Sequence, residues 1–183
     1  MPGERLSIEV KLSVGCLLVG SLLFTVAFAV PHWIEVKASQ GEDEYAGLWK
    51  RCLANTPVPD AETCVNYDGT PDWIVGVQVE ECVALVCMLV ALSLSTVLLF
   101  KRRKIVSLGA TLSALVGGAA GLAGAVVFHI KQVKEEGINS DNFAWAFYLN
   151  AAGDIMIGIS GLGLLVHTIR LLRSRTEPYV SLQ

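Results

Sequence analysis

Across 183 residues, hydrophobic side chains make up 53% and charged ones only 17%, and the charged positions are clustered. A soluble domain spreads its charges over its surface, so this pattern excludes an ordinary soluble domain and points to lipid as the solvent. The net charge of −3 says little by itself, and no nucleic acid is expected as a partner.

In chain order, four segments are long and apolar enough to cross a bilayer core, which takes about 20 helical residues. They run over Leu12–Val30, Ile74–Phe100, Ile105–Ile130 and Phe143–Leu172. The first ends near Ala27-Phe28-Ala29, which has the small-x-small look of a signal-peptidase site. Its apolar run of about 19 residues exceeds the ~7–15 of a signal peptide, and cleavage would put the N-terminus and the basic loop on opposite sides. Retention of all four spans is therefore expected.

Orientation follows from the cations. Lys101-Arg102-Arg103-Lys104 joins spans two and three; Arg5 and Lys11 precede span one, and Arg170, Arg173 and Arg175 end the chain. Nine of the fourteen Lys and Arg thus share one side, which the positive-inside rule makes cytoplasmic. The opposite loop, 31–73, carries eight acids against Lys37, Lys50 and Arg51. Both termini and the 101–104 loop are expected in the cytoplasm, with the loops 31–73 and 131–142 outside.

Within the first outer loop, Ile34-Glu35-Val36-Lys37 alternates as an edge strand does. Gly41 to Glu44 reads as a turn, Tyr45 to Leu53 as a second strand, and Cys64 to Tyr67 as a third ended by the turn pair Asp68-Gly69. In the second outer loop Gly137 is the expected turn residue. Span three repeats small residues every fourth position, Gly117, Gly121 and Ala125 on one stripe and Ala110, Ala114 and Gly118 on another. Such stripes let backbones approach, and Gly153, Gly158, Gly161 and Gly163 thin span four similarly. The expected architecture is a single-domain, all-α membrane protein over 1–183: an antiparallel four-helix bundle without a wide central pore, carrying a small antiparallel outer sheet.

Trp33, Gly47-Leu48-Trp49, Cys52 and Cys64 fall in that order between spans one and two. This W…GLWxxC…C pattern resembles the claudin superfamily, which takes in the claudins, the peripheral myelin and epithelial membrane proteins, and the gamma subunits of calcium channels. Phe143-Ala144-Trp145-Ala146-Phe147 resembles the aromatic start of that family's fourth helix. The chain is similar as a divergent member. Gln78-Val79-Glu80-Glu81 stands where claudins usually place an arginine, the second outer loop has no proline, and Tyr179-Val180 is followed by three further residues. No Asn-x-Ser/Thr sequon is present.

The resemblance implies that Trp33 and Trp49 seat the outer sheet on the bundle; as bare tryptophans they also read as interface anchors. Cys52 and Cys64, on the oxidising side, read as a disulfide closing a loop of about a dozen residues, against the alternative of two free thiols. Cys16, Cys82 and Cys87 fall inside spans and read as small apolar fillers.

Asp154 lies near the middle of span four with Asn150 one turn before it. A carboxylate at that depth must face the bundle and find a partner, and Ser21 lies at similar depth. Glu80 and Glu81 read as acids near the outer start of the second helix, where the macrodipole favours them. Asp68 and Asp72 are the candidates for charge selectivity of the acidic loop. Tyr179-Val180-Ser181-Leu182 fits a tyrosine-x-x-bulky sorting signal, a pattern that also arises by chance. No nucleophile elbow, phosphate loop or metal-ligand spacing is present, so a non-enzyme without a cofactor is expected.

The resemblance implies a plasma-membrane protein of cell–cell contacts, associating with itself or related proteins in one membrane and across two, and forming or tuning a paracellular barrier or pore. The alternative is an auxiliary subunit of an ion channel or receptor. A proton-handling transporter is a third reading, motivated only by Asp154.

Overall fold

The computed structural model describes residues 8–37, 43–54, 62–67, 71–101, 103–135 and 137–173. Four helices dominate: α1 (Ile8–Ala29), α2 (Asp72–Phe100), α3 (Lys104–Glu135) and α4 (Trp145–Arg173). Each is long and apolar enough to span a membrane. At 1.5 Å per residue the 32 residues of α3 reach roughly 48 Å, so it must tilt or project beyond a ~30 Å hydrocarbon core.

The helices are organised inside-out relative to a soluble bundle. Large aliphatics such as Leu12, Leu22, Val79, Leu112 and Ile159 are exposed, while the buried positions collect Ser13, Ser21, Ser95, Ser107, Thr111 and Ser160. Lipid tails are as apolar as leucine, so helix association there rests on close packing and internal hydrogen bonds. Hydroxyls bridge helices within the bundle: Ser160 Oγ donates to Ser13 O across α4 and α1 at 2.8 Å, and the hydroxyls of Ser107 and Thr168 lie 2.6 Å apart across α3 and α4.

The glycines set how close the backbones come. A Cβ on Gly20 would stand 2.9 Å from Gly153 O, and one on Gly118 2.8 Å from Gly158 N. Gly117 faces α2 at Cys87 and Ala84, whereas Gly118 and Gly121 face α4 at Gly158 and Asp154, so α3 presents glycine to both of its neighbours. The helices pack in a ring, α2 on α3, α3 on α4 and α4 on α1, with only slight contact between α1 and α2. At one end a short turn joins α2 to α3, where Arg103 N donates to Lys101 O. At the same end Arg170 pairs with Glu9, tying α4 to α1.

The other end carries an antiparallel sheet in the order β1 (Ile34–Lys37), β2 (Asp43–Ala46), β3 (Lys50–Ala54) and β4 (Glu62–Asn66). The expected edge strand is β1. The expected second strand over Tyr45 to Leu53 is instead two strands, β2 and β3, that turn back at Gly47-Leu48-Trp49. The third expected strand begins two residues early, at Glu62, and is β4. Asp43 and Glu44, expected in a turn, already pair in β2. The second outer loop is shorter than 131–142, because α3 continues to Glu135, supported by the Lys131–Glu135 pair at 2.6 Å. Gly137 is the turn residue, at φ +65°.

Candidate functional site: the clipped sheet and its seat

The last carbonyls of a helix lack intrahelical partners. Two of those of α1 are taken by tryptophans. Trp33 Nε1 donates to Ala27 O at 2.8 Å and Trp49 Nε1 to Phe28 O at 2.9 Å. The Trp33 ring is fully buried, edge-on to Phe128 of α3 and Phe147 of α4 with centroids 5.0 and 6.0 Å away. It is therefore enclosed by protein and is not a headgroup anchor, whereas half-buried Trp49 stands edge-on to Phe28.

Gly47 makes the turn possible by closeness. Its N–H donates to Lys50 O, its carbonyl accepts from Tyr67 Oη, and an added Cβ would meet Pro31 Cα at 2.5 Å and Val30 O at 2.7 Å. Leu48 turns its side chain into the bundle, fully buried, and its carbonyl accepts from Gln78 Nε2 of α2 at 2.9 Å. The first strand is also tied to the start of α4: Ile34 bridges Phe143, Ala144 N donates to Trp33 O at 2.9 Å, and Ala146 N to His32 O at 3.3 Å.

Cys52 and Cys64 lie opposite each other in the β3–β4 ladder and form a disulfide, with Cα atoms 4.1 Å apart. Cys52 is buried and Cys64 exposed. Residues 55–61, which the bond encircles, lie outside the described residues. Glu44 and Arg51 add an ion pair across β2 and β3. The side of the sheet away from β1 exposes Leu53 and Val65.

Of the charge-selectivity candidates, Asp72 is exposed at the first turn of α2, and Asp68 lies outside the described residues. The sorting-signal residues Tyr179 and Leu182 also lie outside them. Cys16, Cys82 and Cys87 are free thiols in the helices.

Asp154 is fully buried, but its partner is not Ser21, whose hydroxyl bonds Leu17 O within α1. Asn150 Nδ2 instead donates to Asp154 Oδ2 at 3.0 Å and to Glu81 Oε1 at 3.1 Å. Glu81, expected as an acid near the outer start of the second helix, stands more than two turns into α2 and is fully buried in the bundle. The signal was present in the spacing: Glu81 continues the buried stripe Ile74, Val77, Ala84, Met88 of α2. Adjacent Glu80 hides it, because the two together read as acids at the outer start of the helix.

Four apolar helices with a disulfide-clipped four-strand sheet between the first and second define a multi-pass membrane protein of claudin-like fold. The family model described as PMP-22/EMP/MP20/Claudin tight junction matches residues 18–166, and the chain belongs to that family. It is also similar to the lens fiber membrane intrinsic proteins of Rattus norvegicus and Mus musculus, 34% identical to each over 55 residues. Those alignments cover 30% of this chain and 31% of each relative, so the chain matches under a third of these proteins' length.

Proposed function

We propose that the chain is a claudin-like protein of the plasma membrane that acts at cell–cell contacts. Its sheet would face the exterior and both termini the cytoplasm, and it would associate with copies of itself or relatives to form or tune a paracellular barrier or pore. The observation that carries this reading is the rigid seat of the sheet, held by two indole bonds to α1, one amide bond to α2 and backbone bonds to the start of α4. Such a cap keeps a fixed shape at the end of the bundle, as recognition between membranes requires. The disulfide supports an oxidising exterior for that end, and the nine clustered cations support a cytoplasmic location for the other. The acidic loop, with Asp68 and Asp72, would favour cations in the space it borders.

Expressed in cells lacking junctions, the protein should concentrate where two expressing cells touch. Uniform surface staining would overturn the reading. The alternative, an auxiliary subunit of a channel or receptor, is favoured by one feature. Beside Trp49, an open apolar groove of about 410 Å³ runs along α2, lined by Trp49, Val75, Val79, Val83 and Val86. Co-purification with a larger membrane complex, without enrichment at contacts, would select that alternative.

A further inference from the structure

Deep in the bundle, three polar side chains from two helices meet on a surface of glycine. Glu81 of α2 and Asn150 and Asp154 of α4 are each fully buried. On α3, Gly121 and Gly124 leave the room they occupy. A Cβ on Gly121 would land 2.1 Å from Asp154 Oδ1, and one on Gly124 3.0 Å from Glu81 Oε1. Any larger residue at Gly121 would displace the carboxylate, so the cradle is shaped for these groups.

The hydrogen-bonding capacity of the cluster is only half used. One amide nitrogen serves both carboxylates, while Glu81 Oε2, Asp154 Oδ1 and Asn150 Oδ1 are buried without a hydrogen-bond partner. Buried polar atoms are nearly always paired, and three oxygens left over in one cluster point to a positively charged occupant. Charge leads to the same conclusion. Glu80 is the other acid acting on Glu81, no cationic side chain among the described residues pairs with either carboxylate, and the titratable group further along α3 is His129, stacked on Phe147 and tilted against Phe143. On the α1 side Gly153, next to Asp154 in the chain, lies against Gly20 and Phe24. Two carboxylates sharing a nitrogen in a water-poor interior cannot both remain charged and uncompensated.

We infer that the Glu81–Asn150–Asp154 cluster is a binding site for one small monovalent cation, a proton or a sodium ion. A calcium ion wants six to eight oxygens, and among the described residues no three carboxylate, imidazole or thiol groups gather around a common point. The amide of Asn150 suits exchange of the occupant. Its N–H groups satisfy two carboxylates, and rotation of the amide brings its oxygen to the cation or to a protonated carboxyl. The proton fits the cradle with no further space, whereas sodium requires that rotation.

The site also has a mechanical position. Gln78, which holds Leu48 of the sheet, lies one turn from Glu81, and Ala146, bonded to His32, lies one turn from Asn150. Occupancy therefore fixes the two helices on which the sheet rests.

The test uses the full chain in lipid nanodiscs, with melting followed by tryptophan fluorescence. Sodium chloride is exchanged for N-methyl-D-glucamine chloride at constant ionic strength, and pH is varied separately. Sodium binding raises the melting temperature by roughly 5 °C at saturation, and Glu81→Gln and Asp154→Asn each abolish the rise. Proton binding gives no sodium response; stability falls as pH rises, and each substitution flattens that fall. If the variants do not fold, the infrared spectrum of the wild-type chain decides for the proton, because a protonated-carboxyl stretch at neutral pH supports it. A wild-type chain with neither a sodium response nor that stretch overturns the site, as do cation responses that persist in both variants.

Discussion

Trp33 and Trp49 perform one chemical task from the same end of the sheet, each giving an indole N–H to a carbonyl that α1 leaves unpaired. Trp33→Phe keeps the ring contacts but strands the buried Ala27 carbonyl, at an expected cost of about 1–3 kcal/mol. Thermal unfolding of the purified protein measures it, and a change below about 0.5 kcal/mol would discount the bond. Gly47→Ala is expected to be worse than its size suggests. The new methyl would meet Pro31 Cα and Val30 O, backbone atoms that cannot turn aside. The expected outcome is retention inside the cell, read by the fraction reaching the surface. Replacing Cys52 and Cys64 together by serine should remove on the order of 3 kcal/mol, because the crosslink limits the unfolded chain. Asp154 and Trp33 could be singled out from their positions in the sequence, but their partners could not. The amide on Asn150 has two carboxylates to choose from, and only the helix rotation brings Glu81 within its reach.

At the scale of elements, the spans were readable because apolar length is a coarse signal that nothing local contradicts. Two boundaries were not. The turn at Gly47-Leu48-Trp49-Lys50 carries apolar residues where turns are usually polar, since Leu48 is buried against the bundle. Polar residues after Ile130 read as loop, yet Gln132 is buried and Lys131 pairs with Glu135, so α3 runs on past the expected boundary. Glycines within one helix also differ in what they do. Gly153 lies against Gly20 and Phe24 of α1, so Gly153→Leu should force α1 and α4 apart and abolish folding to a stable monomer. Gly15 and Gly76 have open space where a Cβ would go. Gly15→Ala and Gly76→Ala should therefore be neutral or stabilise by about 0.5–1 kcal/mol. A contrast between these sets in unfolding by denaturant checks that close approach, and not glycine content, holds the helices together.

For the whole molecule, the proposed orientation and the acidic loop make a joint expectation. In an epithelial layer, Asp72→Asn combined with Asp68→Asn should reduce the preference for cations, read as a shift in dilution potential at unchanged surface expression. An unchanged potential would remove those two aspartates from the proposed selectivity. The molecule also has a stiff side and an open one, since α1 closes onto α4 but scarcely onto α2. Finally, the first strand and the start of α4 are stitched together along Ile34–Phe143, Trp33–Ala144 and His32–Ala146. A reporter peptide spliced in beside Gly137 would sit above that seam and leave it whole. A single extra residue between Phe143 and Ala146 would slip the seam by one notch, and the turning of α4 about its own axis would then carry the cap with it.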